Sequence, residues 1–499
     1  MSKIIIIGGG ISGLSAGIYL QANGYETEVL EKNHVSGGAC IGWERKGCYI
    51  DGCIHWLSGV NPKSTTYPLW REIHAIKEDT DVFYQNELCV FDYGEGKKFT
   101  FYADLEKLEA ELISFAPEDT KAIKHFCKLI KRFQKINPPV DKPSDMMNLG
   151  ELLKVAFTMA GDYILVERTA KISCEKFTRR FKNPYLKHAI STYMASDYNL
   201  MSFLYMMGHV TAMDAGIPMG GSMGLTERVE QRYLSLGGRL TTRAEVEEIL
   251  VEDDRVTGVR LKDGTCHYAD WVVSTTPVEH CLKDLLRSKY RVKKIDMRLE
   301  NERDYPIYTF TTAVVKCKKD TSSLPLSVTA PAKNPVSVEK EYDTISIRNY
   351  AYDRTVKSDG SDIFQITLSG GDQMYYWWKN AKENGTYLEE KKRIGQHLLQ
   401  ELKAYYPFLA DSLEIIDFIT PMTYERYLNS RHGCFQGFVH TARGKTLMQK
   451  GIINGLKRFI LAGQWIIQSG GLPTAVMSGR FSAQRICRAD KKRFVAPSY

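Results

Sequence analysis

The chain has 499 residues, 43% apolar and 25% charged, with a formal net charge of +8; this is the composition of a folded globular protein with two or three domains. No apolar run approaches the roughly 20 residues that a membrane-crossing helix needs, and the short apolar block at the start is not a signal peptide, so a cytoplasmic protein is predicted. Lysine and arginine are spread over several segments without a basic and aromatic reader motif, which excludes nucleic acid as an expected partner but leaves room for a weak pull toward anionic lipid headgroups.

Ile4 to Ile7 is a run of four β-branched residues, apolar on both faces, as a strand buried inside a parallel sheet requires. It runs into Gly8-x-Gly10-x-x-Gly13, with Gly17 and Gly24 beyond. The spacing predicts a strand, a tight turn at Gly8, and a helix from Ile11 to Asn23 that Gly13 and Gly17 let lie close to the strand. Gly10 lets backbone approach a pyrophosphate, and the free N–H groups at the helix start, around Ile11 and Ser12, point at the anion. Glu26 to Leu30 reads as the second strand, with Glu31 at its end placed to accept hydrogen bonds from a ribose. Gly37-Gly38 follows almost at once. A nicotinamide-binding domain would run on into more strand and helix repeats, whereas a second glycine pair brings backbone near a diphosphate or ribityl chain; the spacing predicts FAD rather than NAD. Gly94-Glu95-Gly96 lacks a flanking strand and a third glycine, so no second dinucleotide site is predicted.

The eleven cysteines run from Cys40 to Cys487 without a C-x-x-C pair and are predicted to be free thiols. Cys48, Cys53 and His55 come nearest to a metal cluster, but a fourth ligand is missing, and no metal is predicted. Tyr49-Ile50-Asp51-Gly52-Cys53-Ile54-His55-Trp56 forms a polar and aromatic island.

On these residues, Glu31-x5-Gly37-Gly38-Ala39-Cys40 and then Asp51 to His55, the sequence resembles the phytoene desaturase, carotene isomerase and retinol saturase group of FAD-dependent oxidoreductases. It departs from that pattern at Cys53, where glycine is usual, and at Ala39, where many relatives have arginine. The resemblance implies an α/β fold. It consists of a Rossmann-type FAD-binding domain of the amine-oxidase and glutathione-reductase-like kind, with a mixed α+β substrate domain formed by insertions. The cofactor domain is expected from residues 1–100, 215–290 and 430–499, and the substrate domain from 101–214 and 291–429.

Further along, Leu88 to Tyr102 reads as a hairpin. Asp104 to Phe115 reads as a helix with Leu105, Leu108, Leu112 and Phe115 on one face. The next helix, from Pro117 to Ile136, sets Ile123, Phe126, Cys127, Ile130 and Phe133 opposite four lysines. That basic amphipathic helix either packs on its own domain or rests on a membrane surface. Pro138, Pro139 and Pro143 mark a loop. The Met-rich stretches 146–166 and 199–213 suit core or a long apolar ligand. Pro218-Met219-Gly220-Gly221-Ser222-Met223 precedes a helix to about Leu236, followed by strands at Arg243 to Val251, Arg255 to Leu261 and Trp271 to Thr275. Residues 308–368 are β-rich, with Thr311 to Val315 and Ile363 to Leu368 the clearest strands. Thr386-x-x-Glu389 reads as a capping box before a helix with Ile394, Leu398, Leu399 and Leu402 buried. Phe459 to Gly463 is a buried strand leading to Gly470-Gly471 and a last helix to Arg488.

By the resemblance, Val246 meets the adenine through its backbone, and Lys32, Ala39, Thr275, Gly463, Gln464, Gly471, Leu472 and Pro473 join the cofactor site. The last helix then starts beside the flavin ring, where its dipole favours charge on reduced flavin. His55 is the first candidate for a catalytic side chain near that ring, as a proton donor or acceptor, or else a structural histidine; Arg426 and Tyr427 are the second catalytic candidates, or else serve flavin positioning or packing. The implied reaction is hydride transfer between flavin N5 and a carbon–carbon unit of a long apolar isoprenoid or polyene lipid, as desaturation, saturation or isomerisation. Electrons pass to or from a quinone, oxygen or a redox protein, with a possible peripheral contact at the inner membrane face. A flavin amine oxidase and a flavin-binding protein without turnover remain the alternatives.

Overall fold

The computed structural model describes residues 1–499 except Pro138, Lys357 and Ser469, and for 159 and 160 the backbone alone. The predicted opening forms with its expected bounds: β1 (Lys3–Ile7), α1 (Ile11–Ala22) and β2 (Glu26–Leu30). A short antiparallel hairpin, β3 (Gly42–Arg45) and β4 (Cys48–Asp51), comes next. The chain then leaves for the hairpin β5 (Glu87–Asp92) and β6 (Lys98–Tyr102), and for four main helices: α2 (Leu105–Phe115), α3 (Thr120–Phe133), α4 (Leu149–Ala170) and α5 (Leu200–Thr211). It returns through α6 (Gly221–Ser235) and β7 (Arg239–Thr241), turns through an antiparallel meander, β8 (Val246–Glu252), β9 (Arg255–Leu261) and β10 (Cys266–Tyr268), and re-enters the first sheet at β11 (Trp271–Ser274). A second excursion gives β12 (Thr309–Cys317), β13 (Ser327–Ser337), β14 (Glu341–Asn349), β15 (Asp362–Gly370), α7 (Asp372–Glu383), α8 (Tyr387–Tyr405), β16 (Leu413–Ile419) and α9 (Pro421–Leu428). β17 (Phe459–Leu461) and α10 (Gly471–Ala489) close the chain.

The first sheet has the order β7-β2-β1-β11-β17 and is parallel throughout. Ile4 and Ile6 face one side, with α1, α6 and α10; Ile5 and Ile7 face the other, with the meander. That two-sided burial is why β1 reads as an unbroken apolar run. The second sheet has seven strands in the order β16-β12-β15-β14-β13-β5-β6. One of its faces buries Ala313, Val315, Ile345 and Ile366 against Trp378, Ile394, Leu398 and Leu402 of α7 and α8. The hairpin β5–β6 belongs to this sheet through a parallel pairing with β13, so a boundary drawn at residue 100 cuts through it.

Two local expectations change, and one pair of alternatives is decided. Gly17 faces α6 rather than the strand, since a Cβ there would lie 2.5 Å from the Tyr233 ring. Thr386 makes no capping bond at the start of α8; its N–H and its hydroxyl both donate to the Ala381 carbonyl at the end of α7, 2.9 and 3.3 Å away, which holds it out of the extended conformation a cap needs. The apolar stripe of α3, Ile123 to Phe133, is buried against its own domain, including α5. A membrane cannot reach it. Exposed apolar side chains occur instead on α4, where Leu149, Leu153 and Phe157 are 73%, 60% and 89% exposed.

The first and last helices cross at small residues. A Cβ on Gly479 of α10 would lie 2.7 Å from the Ser12 carbonyl oxygen and 2.8 Å from Ala16 N. Ser12 and Ser478 hydroxyls meet at 2.9 Å, and the Ser478 hydroxyl accepts the Gly463 N–H at 2.8 Å. Beside them the Arg480 guanidinium pairs with the Glu72 carboxylate, which also accepts from Tyr19 at 2.6 Å, all three groups being buried. Gly479→Val, which leaves every polar group in place, is expected to lower stability by about 2 kcal/mol or more through overpacking of this crossing. Urea unfolding of the purified variant measures it; an unchanged midpoint and slope would show that the helices can move apart freely.

Candidate functional site

Two helix N-termini open into one cleft. Neither N-cap residue, Gly10 of α1 or Gly470 of α10, gives a side-chain cap; the first N–H groups of α1 and, at α10, where Gln464 takes Gly471 N and residue 473 is a proline, the N–H of Leu472 are available to a ligand, and the dipoles add positive potential there. Gly8, Gly10, Ile11 and Ser12 line the cleft beside Gly37, Gly38 and Ala39. Gly10 and Gly37 bridge as parallel strands do, and a Cβ on Gly10 would sit 3.6 Å from Gly38 Cα, in the space between the two glycine segments. Gly13 does not line the cleft. Its Cβ would fall 2.0 Å from the Gly8 carbonyl oxygen, so it serves the packing of the helix on the turn.

At one end of the cleft stand Glu31, Lys32, Val246 and Tyr427. The Glu31 carboxylate accepts from Gly9 N at 2.7 Å and Asn33 N at 2.8 Å, which fixes its orientation. Lys32 Nζ donates to the Arg426 carbonyl at 2.8 Å, and burial pulls the ammonium pKa down. At the other end are Thr275, Gly463, Gln464, Gly471 and Leu472. Thr275 Oγ donates to Ile7 O at 2.9 Å and thereby ties β11 to the glycine turn. Gln464 donates through Nε2 to Phe435 O at 3.0 Å and accepts from Gly471 N at 3.3 Å. Pro473, expected with them, is not part of the lining.

Arg426 and Tyr427 do not stand at the Gln464 end of the cleft, although Tyr427 lines its other end. Tyr427 stands at the Glu31 end of the cleft and is 43% exposed. The Arg426 guanidinium lies over the Tyr427 ring at 5.3 Å and lines neither the cleft nor the cavity beyond it. The two are consecutive on the exposed side of α9; Tyr424, one turn earlier, is the residue of that helix that points inward. Burial pushes the Tyr424 phenol well above its ordinary value, so it stays a hydroxyl.

Against the cleft lies a cavity of about 1160 Å³. Cys53, Phe435 and Gln436 line both and form the junction. The Cys53 loop is held by Asp51. The Asp51 carboxylate accepts from Ser222 N at 2.7 Å, Ser222 Oγ at 2.6 Å, Cys53 N at 2.9 Å and Ile54 N at 3.2 Å, so it caps α6 and shapes residues 52–55 together. Cys53 and Cys40 share a hydrogen bond, which, with burial, pushes the Cys53 thiol well up.

His55 lies on the cavity wall, with Nε2 3.4 Å from the Tyr350 hydroxyl. Its place in the cavity wall, and then the Arg348 charge, hold its pKa below the ordinary imidazole value, so the ring is neutral at neutral pH, though its surface is open to the cavity. Cys48 is directed away, to Asp359 at 3.4 Å. Among the described residues, the group of His and carboxylate ligand atoms that converges within 4.8 Å is Glu302, Asp372 and His432, not the Cys48, Cys53 and His55 set. Sequence reasoning missed the junction residues Phe435 and Gln436, as well as Tyr424 and the polar cavity face of the second sheet.

A parallel sheet with a glycine turn, paired helix starts and an adjoining cavity defines a flavin-dependent oxidoreductase. The chain belongs to the flavin containing amine oxidoreductase family, whose model matches residues 11–487, and it binds FAD. It is 24% identical to the neurosporene-forming phytoene desaturase of Rhodobacter capsulatus over 98% of this chain and 95% of that protein. It is 22% identical to the chloroplastic prolycopene isomerase 1 of an Oncidium hybrid cultivar, over 86% and 74%. A solved oxidoreductase from Methanosarcina mazei shares the fold, with a TM-score of 0.59 at 16% identity, covering 95% of this chain and 99% of that one.

Two outcomes are expected. Gly10→Val should fold with little change in melting temperature yet purify without flavin absorbance, because the valine fills the space between the two glycine segments; a yellow variant would contradict this. His55 should titrate below the ordinary imidazole value of about 6.5 when followed by imidazole nitrogen NMR. The folded protein binds that proton less tightly than the unfolded chain, so His55 removes stability as pH falls below the unfolded value. A midpoint at the ordinary value would show a freely solvated ring.

Proposed function

We propose that this oxidoreductase exchanges hydride with a carbon–carbon unit of a long isoprenoid or polyene lipid, in a desaturation, saturation or isomerisation. The observation that carries the proposal is the large cavity set directly against the cofactor cleft, with Cys53, Phe435 and Gln436 lining both. Both relatives named above act on carotenoids or their precursors by name, which supports the same substrate class here. FAD supplies the hydride exchange, at its N5. Gly8, Gly10, Ile11, Ser12, Gly37, Gly38 and Ala39 would hold the diphosphate, Glu31 the ribose, and Val246 the adenine edge. Gly463, Gln464, Gly471 and Leu472 would face the flavin ring, with the start of α10 favouring negative charge there. The cavity walls keep water from the reacting carbons and orient one carbon–carbon unit at the junction, so that positioning supplies much of the rate. The neutral His55 imidazole stands beside the junction, able to take up or release a proton.

An amine substrate is the second reading. Of the acids that line the cavity, Asp197 is engaged by the Tyr308 hydroxyl at 3.0 Å, Glu302 by Arg431 at 3.0 Å and Asp372 by His432, while Glu341 and Asp343 make no ion pair among the described residues. Electrons would pass to or from a quinone, oxygen or a redox protein. Among the described residues no helix is long and apolar enough to cross a membrane; the exposed Leu149, Leu153 and Phe157 face of α4 supports a peripheral contact with one, where a lipid substrate resides.

Anaerobic mixing tests the reading. Loss of the oxidised flavin band with a carotenoid precursor, or its return when dithionite-reduced enzyme meets a polyene, is the expected result for a net redox reaction. For a net isomerisation, a changed cis–trans ratio of the polyene after incubation with reduced enzyme is expected. Bleaching by putrescine or a simple monoamine, with no response to polyenes, would overturn it.

A further inference from the structure

The cavity is unlike a container for a pure hydrocarbon. The face of the second sheet turned away from α7 and α8 floors it, and that face is polar across four strands: Thr312, Ser327, Thr329, Ser346, Gln365 and Thr367 all line it. Arg348 of β14 stands in their midst, paired in register with Ser327 on one side and Gln365 on the other. Its guanidinium is only partly used. Nη2 donates to the His55 carbonyl at 3.2 Å, and Nε is buried with no hydrogen-bond partner. No carboxylate oxygen among the described residues lies within the 4.0 Å of an ion pair, and the acids of the same strand, Glu341 and Asp343, are at its far end. Five to seven residues of strand, roughly 16–23 Å, separate them from Arg348.

A half-buried arginine costs free energy unless an anion or several acceptors satisfy it. Arg480 and Arg431 pair with acids and Arg426 stacks on a ring at the surface; Arg348 lies over the Tyr350 ring at 5.6 Å but pairs with no acid among the described residues. We propose that Arg348 is the anchor for an acidic head group on the substrate, a carboxylate that the fork of the guanidinium can take by two hydrogen bonds, with the hydroxyls and amide of the polar strip beside it. The substrate is then an amphipathic isoprenoid or polyene acid rather than a plain hydrocarbon. The position has a consequence for chemistry. Arg348 holds the carbonyl of His55, and His55 is two residues, at most about 7 Å of chain, from Cys53 at the junction. The acid end therefore lies toward the flavin side of the cavity, and the reacting carbons are near the head of the molecule, while the tail runs away from it.

This inference rests on the cavity being the lipid site, and the experiment separates the two. The FAD-loaded enzyme is titrated with geranylgeranoic acid, geranylgeraniol and squalene, and binding is read from tryptophan fluorescence and the visible flavin spectrum. The acid is expected to bind more tightly than the alcohol by about tenfold or more, the scale of a charge-assisted hydrogen bond. Arg348→Met, which keeps the length of the side chain, should abolish that preference while retaining flavin and alcohol binding; Arg348→Lys should keep part of it. Equal binding of acid and alcohol by the parent, or an undiminished preference in Arg348→Met, overturns the acidic head group and leaves the lipid reading in place. Failure of all three compounds to bind overturns both. Should Arg348→Met purify without flavin, the parent and Arg348→Lys still decide the matter, because the acid preference and its partial loss are read in those two proteins.

Discussion

The structure depends on the crossing of its first and last helices. Gly479 rests on the backbone of Ser12 and Ala16, and Ser478 bonds both Ser12 and Gly463. A larger residue at the crossing would separate the helices, and with them the two starts that share the cleft. The chain ends are thus pressed together through backbone contact, and the buried Arg480, Glu72 and Tyr19 group beside the crossing gives it a fixed angle. Desolvating that ion pair is costly, and its net contribution is less stability than a single defined arrangement.

A second link joins the cofactor half to the cavity. Asp51 caps α6, fixes the Cys53 loop with the same carboxylate, and offers its own carbonyl to Gln365 Nε2 of β15 at 2.7 Å. One residue therefore touches the helix behind the glycine pair, the junction, and the floor of the cavity. His55 follows from this placement: its carbonyl is bonded by Gln85 and Arg348 from two other segments, so the ring is directed along the cavity wall.

The glycine turn, both first strands, the carboxylate at Glu31 and the final strand and helix were legible because each follows from local rules. β-branched runs make buried strands, glycine spacing sets a turn, and helix starts attract anions. What was not legible was direction. Arg426 and Tyr427 are polar residues in a promising segment, yet the register of α9 turns them outward and Tyr424 inward. Gly17 has the spacing for strand packing, but Tyr233 fills that side. The α3 stripe has the pattern of a membrane-surface helix, and only the presence of α5 and its neighbours decides that it is core, whereas α4, with a weaker pattern, keeps its apolar side chains exposed.

By itself the sequence determined that a parallel dinucleotide-binding sheet exists, that it holds one adenine dinucleotide, and that the glycine pair at Gly37-Gly38 favours a flavin, because these are matters of residue size and spacing over short stretches of chain. Tertiary structure alone decided which residues meet at the junction and what lines the cavity. Cys53, Phe435, Gln436 and Arg348 come from segments up to nearly four hundred residues apart, and strand register, a long-range property, sets which face of each strand the cavity sees.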